Sequence, residues 1–275
     1  MLAIPLITLQ VMVEVAIGGF IAIYITDLTR LVTRGFIAST GVVILVIGIV
    51  GLAGERFLPD PSHLTDHVIE HSWITPSLRL LSLFIALFAV YLIAVYLRPF
   101  ALHIIAGGLA LLAGLAALTA AALTYPTPLW GAWGSVAAFL LSAVVVGTVV
   151  TAMLLGHWYL VVPNLSTRPL FILMALIAAA LAAQLALDAI GLLALAGHNP
   201  VAARQDVVVG GFSLTFWMHL VGGILLPALI TALSFQSTRL RSLMSATGLL
   251  YVAVVLVLVG SVTGRVIFFS ANLPM

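Results

Sequence analysis

Residues 2–26, LAIPLITLQVMVEVAIGGFIAIYIT, form a stretch of 25 residues with no Arg, Lys or Asp and one carboxylate, Glu14, at the middle. A bilayer hydrocarbon core about 30 Å thick takes about 20 apolar residues of helix. The stretch is therefore long enough to cross a membrane. Apolar runs of similar length recur along the chain, at residues 32–53, 77–97, 100–124, 135–161, 169–195, 209–235 and 243–267. The eight runs predict an all-α integral membrane protein, a single polytopic bundle of about eight transmembrane helices over residues 1–275 with short loops.

The composition agrees with this reading. Of 275 residues 64% are hydrophobic, and only 7% are charged: ten Arg, five Asp, three Glu and no Lys. A soluble domain carries about 25% charged residues, so this chain lacks the charge for a water-compatible surface. There is no cysteine for a disulfide framework. Without a dense basic patch, nucleic acid is excluded as a partner. The expected partner is the lipid bilayer.

The N-terminus has no basic region ahead of its apolar run, so it does not read as a secretory signal peptide. Under the positive-inside rule, placing the first loop inside puts Arg30, Arg34, Arg98, Arg168, Arg239 and Arg241 on the cytoplasmic side. Arg56, Arg79, Arg204 and Arg265 then fall on the other side. Both termini are accordingly expected outside, in a prokaryotic cytoplasmic (inner) membrane. Glu55, Asp60, Asp66, Glu70 and Asp206 share the outer side, and Asp27 lies inside.

Ionisable side chains at bilayer depth are costly and so are functional candidates. Counting about 1.5 Å per residue, Glu14, Asp188 and His219 all fall in the middle to outer half of their spans. Gln10 lies one turn before Glu14 and Gln184 one turn before Asp188, which puts an amide on each carboxylate's helical face. Where these helices meet, the three would make an acid, acid and imidazole cluster able to carry a proton or hold a polar ligand head. The alternative is that they are hydrogen-bonding glue between helices.

Near the inner face, His103 opens the fourth span and His157, in LGHWYL (155–160), closes the fifth. Two imidazoles at one depth suit ligation of a b-type haem or hydrogen bonding to a quinone. Gly156 and the pair Gly107 and Gly108 would give a flat ring room. Against this, Trp158 and Tyr159 read as an interfacial aromatic belt in which His157 is one more member.

The outer segment 59–76 is rich in histidine. Asp60 and Pro61 signal a helix start, after which His63, His67 and His71 recur every four residues, with Glu70 beside His67. That spacing permits a metal site of His63, His67, Glu70 and His71. It also suits a solvated face or a docking surface for another protein.

Eight spans, both ends outside and no soluble domain are similar in architecture to the membrane anchor subunits of dimethyl-sulfoxide-reductase-type and polysulfide-reductase-type complexes, which exchange electrons with quinol for an iron–sulfur partner. No motif matches residue by residue, so no functional position carries over. The first expectation is a membrane subunit of a respiratory or redox assembly handling quinone or b-type haem, with other membrane or peripheral redox subunits as partners. In it His103 and His157 hold the ring system and Glu14, Asp188 and His219 move protons. The alternatives are a proton- or ion-coupled transporter or channel built on that cluster, and a structural or assembly subunit.

Overall fold

A computed structural model describes residues 4–58, 68–97, 100–127, 131–198, 207–271 and 273. Eight helices are long and apolar enough to cross a membrane. They are α1 (Ile4–Leu28), α2 (Arg34–Phe57), α3 (Ile74–Leu97), α4 (Phe100–Thr124), α5 (Gly131–Val161), α6 (Arg168–His198), α7 (Ser213–Arg239) and α8 (Leu243–Ala271). Every apolar run of the sequence becomes one helix, usually extended by a few residues at one or both ends. The chain has the architecture of a multi-pass membrane protein. α1 begins, and α8 ends, at the same end of the bundle, called here the termini end.

Local signals explain several helix limits. Thr33 caps α2, its hydroxyl accepting the Phe36 amide at 3.3 Å, and Pro169 occupies the first turn of α6, where its missing N–H is not needed. At the opposite end of the bundle the chain reverses through Arg30 and Arg241, each at φ 57°, which closes the α1–α2 and α7–α8 connections in a few residues.

The bundle is apolar on both its inner and its lipid-facing surfaces. Val42, Val46, Ile49 and Val50 on α2 and Ile105, Leu109 and Leu112 on α4 are exposed, as side chains that meet hydrocarbon should be. With lipid no less apolar than the core, tight packing rather than water exclusion must hold the helices together. The seams accordingly run through glycine. A Cβ on Gly18 would lie 1.7 Å from the Ala143 carbonyl, and one on Gly147 would lie 2.1 Å from the Gly18 backbone. These contacts clamp α1 to α5. α1 is the central helix, with 78% of its apolar window buried against 33–61% for the others.

α7 is irregular. It begins with an α-turn over Ser213–Trp217, widens to a π-helix over Met218–Leu225, and continues as α-helix over Leu226–Arg239. The sequence predicted a kink from Pro227. The turns before the proline are widened, since its ring cannot sit against the carbonyl of Gly223 four residues back. The widened stretch contains His219.

Candidate functional site

Four ionisable side chains come together in the half of the bundle nearer the termini. Glu14 on α1 is wholly buried, and Arg265 on α8 is 1% exposed. The Arg265 Nε donates to Glu14 Oε1 at 2.9 Å, and its Nη2 donates to the same oxygen. Ser142 on α5 donates to Glu14 Oε2 at 2.7 Å, and Gln10 reaches Oε1 at 3.5 Å. The guanidinium lies over the Phe139 ring, 3.8 Å from its centroid. The carboxylate thus has a charge partner and two further hydrogen-bonding side chains, which is the condition for leaving an ion out of water.

Arg265 is the residue that sequence reasoning misplaced. Ending the last span at residue 267 left it at the outer interface among the flanking arginines. The helix instead continues to Ala271, which sinks Arg265 about 9 Å from the end at 1.5 Å per residue. The signal was present: VIFF (266–269) continues the apolar run beyond the arginine.

The second pair is Asp188 on α6 with His219 on α7, both buried. His219 Nε2 lies 3.0 Å from Asp188 Oδ2, and Nδ1 lies 2.8 Å from the Gly260 carbonyl oxygen of α8. A carbonyl can only accept, so Nδ1 carries a proton and donates to it. The contact between Nε2 and Oδ2 then requires a single proton, which sits either on Asp188, leaving both groups neutral, or on His219, giving an ion pair. Gln184 Nε2 donates to the other carboxylate oxygen at 2.9 Å, as the one-turn spacing predicted. The α7–α8 seam makes this geometry possible: Gly223 and Gly260 approach so closely that a Cβ on either would lie 2.2–2.4 Å from the other's Cα.

The two pairs share a cleft. Ser142, which holds Glu14, lines it together with Gln184, His219, Gly260 and Ser261. The cleft offers about 20 Å³, the space one water needs. Gln184 Oε1, buried and without a partner among the described residues, supplies an acceptor there. The expected grouping of Glu14, Asp188 and His219 is therefore present as two pairs joined through Ser142, with Arg265 as the fourth member.

No family model, no curated protein and no solved structure matches the chain. The site must be read from its own geometry.

The other expected sites fare differently. His103 and His157 do not face one another. His103 is buried on α4, with Nε2 3.5 Å from Asp27 Oδ2 and its ring edge-on to Tyr91. The Tyr91 hydroxyl donates to the same Asp27 oxygen at 2.9 Å. His157 is exposed on α5 and meets the Tyr251 hydroxyl of α8 at 3.5 Å. Two of the three glycine gaps proposed for a flat ring are filled by the protein: a Cβ on Gly107 would meet the Tyr24 ring at 2.4 Å, and one on Gly156 would meet Thr247 at 2.9 Å, whereas one on Gly108 would meet only the Tyr24 hydroxyl, at 3.7 Å.

Of the histidine-rich segment, His63 and His67 lie outside the described residues. The four-residue helical spacing does not continue to His71, because residues 68–70 are not helical and His71–Trp73 form a single 3-10 turn. Glu70 is exposed and accepts from Ser72 at 2.9 Å. Its backbone N–H donates to the Thr124 carbonyl, which pins the segment to the end of α4. Among the described residues no group of three or more His, Asp or Glu side chains could hold a metal ion.

Proposed function

We propose that this multi-pass membrane protein transfers protons through the membrane, using the Asp188–His219 dyad as the proton-carrying group and Glu14–Arg265 as the fixed ion pair beside it. The observation that carries the proposal is the one-proton bond between Asp188 and His219, locked on its far side by the Gly260 carbonyl. A structural hydrogen bond would need neither a titratable donor nor a titratable acceptor at this depth. A Gln–Asn pair would hold the same helices at far lower desolvation cost. The π-helical stretch around His219 adds support, since such insertions concentrate at functional sites.

On this reading the protein is a proton-coupled carrier or a proton channel. The quinone or b-type haem expectation is less well supported, because the two histidines that would hold the ring system point to different partners. The termini end is assigned to the outer side, and the chain to a prokaryotic inner membrane, by the distribution of arginines.

The test is proton flux in proteoliposomes carrying an entrapped pH dye under an imposed potassium diffusion potential. Asp188→Asn keeps the size and hydrogen bonding of the side chain but cannot exchange a proton. It should lower flux at least about tenfold, the effect of removing one general acid–base group, while the protein still elutes as a single folded species. Wild-type flux no higher than in empty liposomes, or flux unchanged in Asp188→Asn, would overturn the proposal.

A further inference from the structure

On the proposed function the site needs a path to water, and a cavity among the described residues suits that. It lies at the termini end among α1, α2, α3 and α4, with a volume of about 260 Å³. This is room for several waters. Its polar lining comprises Gln10, Glu55, Arg56, Ser77, Thr124 and Tyr125. Two of these residues give the cavity a direction.

Gln10 is the first. It is 2% exposed and lines the cavity, and its amide nitrogen also reaches Glu14 Oε1. It therefore stands between the cavity and the buried ion pair. Glu14 is in turn bonded by the Ser142 hydroxyl, which lines the cleft shared with Gln184 and His219.

Glu55 is the second. Read from the sequence as an outer-side loop acid, it lies instead in the last turn of α2 with its side chain on the cavity wall. Among the described residues it has no ion-pair or hydrogen-bond partner. Three other polar groups of the lining bond within the fold: Arg56 donates to Ser82 at 2.9 Å, Ser77 to the Ile74 carbonyl and Thr124 to the Ala120 carbonyl. The charged or titratable groups that share the wall with Glu55 are Arg56 and Tyr125. A carboxyl without an ion-pair or hydrogen-bond partner among the described residues, on the wall of a cavity large enough for several waters, is placed to exchange protons with water.

We propose that this cavity is the aqueous port of the proton path and that Glu55 is its proton-loading group, exchanging protons with water in the cavity beside Gln10, the residue that separates the cavity from the buried cluster of Glu14, Arg265, Asp188 and His219. The inference rests on the proton-transfer reading above.

Because the chain has no cysteine, a single Ser77→Cys variant reports cavity access directly. A membrane-impermeant cationic thiol reagent should modify it from one side of the membrane only, and the modification should lower proton flux at least about threefold. Ser234→Cys, buried on α7 far from the cavity, should not react. Glu55→Gln should lower flux about tenfold, and Glu70→Gln, on the exposed segment nearby, should leave flux unchanged.

Failure of Ser77→Cys to react, or flux in Glu55→Gln equal to wild type, overturns the port while leaving an Asp188-dependent flux intact. If wild-type flux is itself absent, the proton-transfer reading fails. Labelling then still decides whether the cavity opens to water.

Discussion

Replacing Arg265 with methionine should be among the most destabilising single changes in the protein, and replacing its partner as well should restore much of the loss. Arg265→Met removes the two donors that the guanidinium gives to Glu14 Oε1 and its contact with the Phe139 ring. It leaves a carboxylate that is wholly buried, with only Ser142 and Gln10 to solvate it. Breaking a buried ion pair in this way costs about 3–5 kcal/mol, because the stranded charge loses its compensation. Glu14→Leu alone strands the guanidinium with similar effect.

The double variant Glu14→Leu/Arg265→Met strands nothing and should lie within about 2 kcal/mol of wild type, so the two sites should couple by at least about 2 kcal/mol. Equilibrium unfolding in mixed micelles by titration with SDS, followed through the five tryptophans, measures each corner of the cycle. Single-variant losses below about 1 kcal/mol, or a double variant that costs the sum of the singles, would refute the argument.

The α7–α8 seam predicts opposite outcomes for two neighbouring glycines. Gly260→Ala puts a Cβ 2.2 Å from the Gly223 Cα, so it should cost about 1–3 kcal/mol by overpacking and also reduce proton flux by moving the carbonyl that holds His219. Gly222→Ala meets nothing within 4 Å and should gain up to about 1 kcal/mol through helix propensity, as read by the same titration. At the other end of the bundle, Tyr91→Phe deletes the hydroxyl that donates to Asp27. It should cost about 1.5–3 kcal/mol, the range for a hydrogen bond to a charged group, with proton flux through the Asp188 site retained.

What could be read in the sequence follows from what periodicity and depth encode. All eight spans were legible, because a run of about 20 apolar residues has few other uses. The one-turn pairing of Gln184 with Asp188 was legible because residues four apart share a helical face whatever the tertiary fold. Azimuth between helices was not. His103 and His157 occupy similar depths, yet one turns toward Asp27 on α1 and the other toward Tyr251 on α8, and no spacing within either helix specifies that. Arg265 was lost for a different reason. Arginine near a span end normally reaches the interface, and only its buried partner 251 positions away reveals that this one does not. The role of Gly260 was hidden entirely, since it rests on a backbone carbonyl exposed by the absence of a side chain on Gly223.

The charge balance of the site explains how such a cluster can remain in a membrane and still work. Glu14 with Arg265 is neutral as a pair, and Asp188 with His219 is neutral wherever their shared proton sits. The resting site therefore carries no net charge, which lowers the penalty of holding four ionisable groups at bilayer depth. Adding a second proton to the dyad makes it cationic and removing the shared proton makes it anionic, so either change departs from the neutral balance that the bilayer favours. On the proton-transfer reading proposed above, a site balanced in this way takes up and releases one proton at a time.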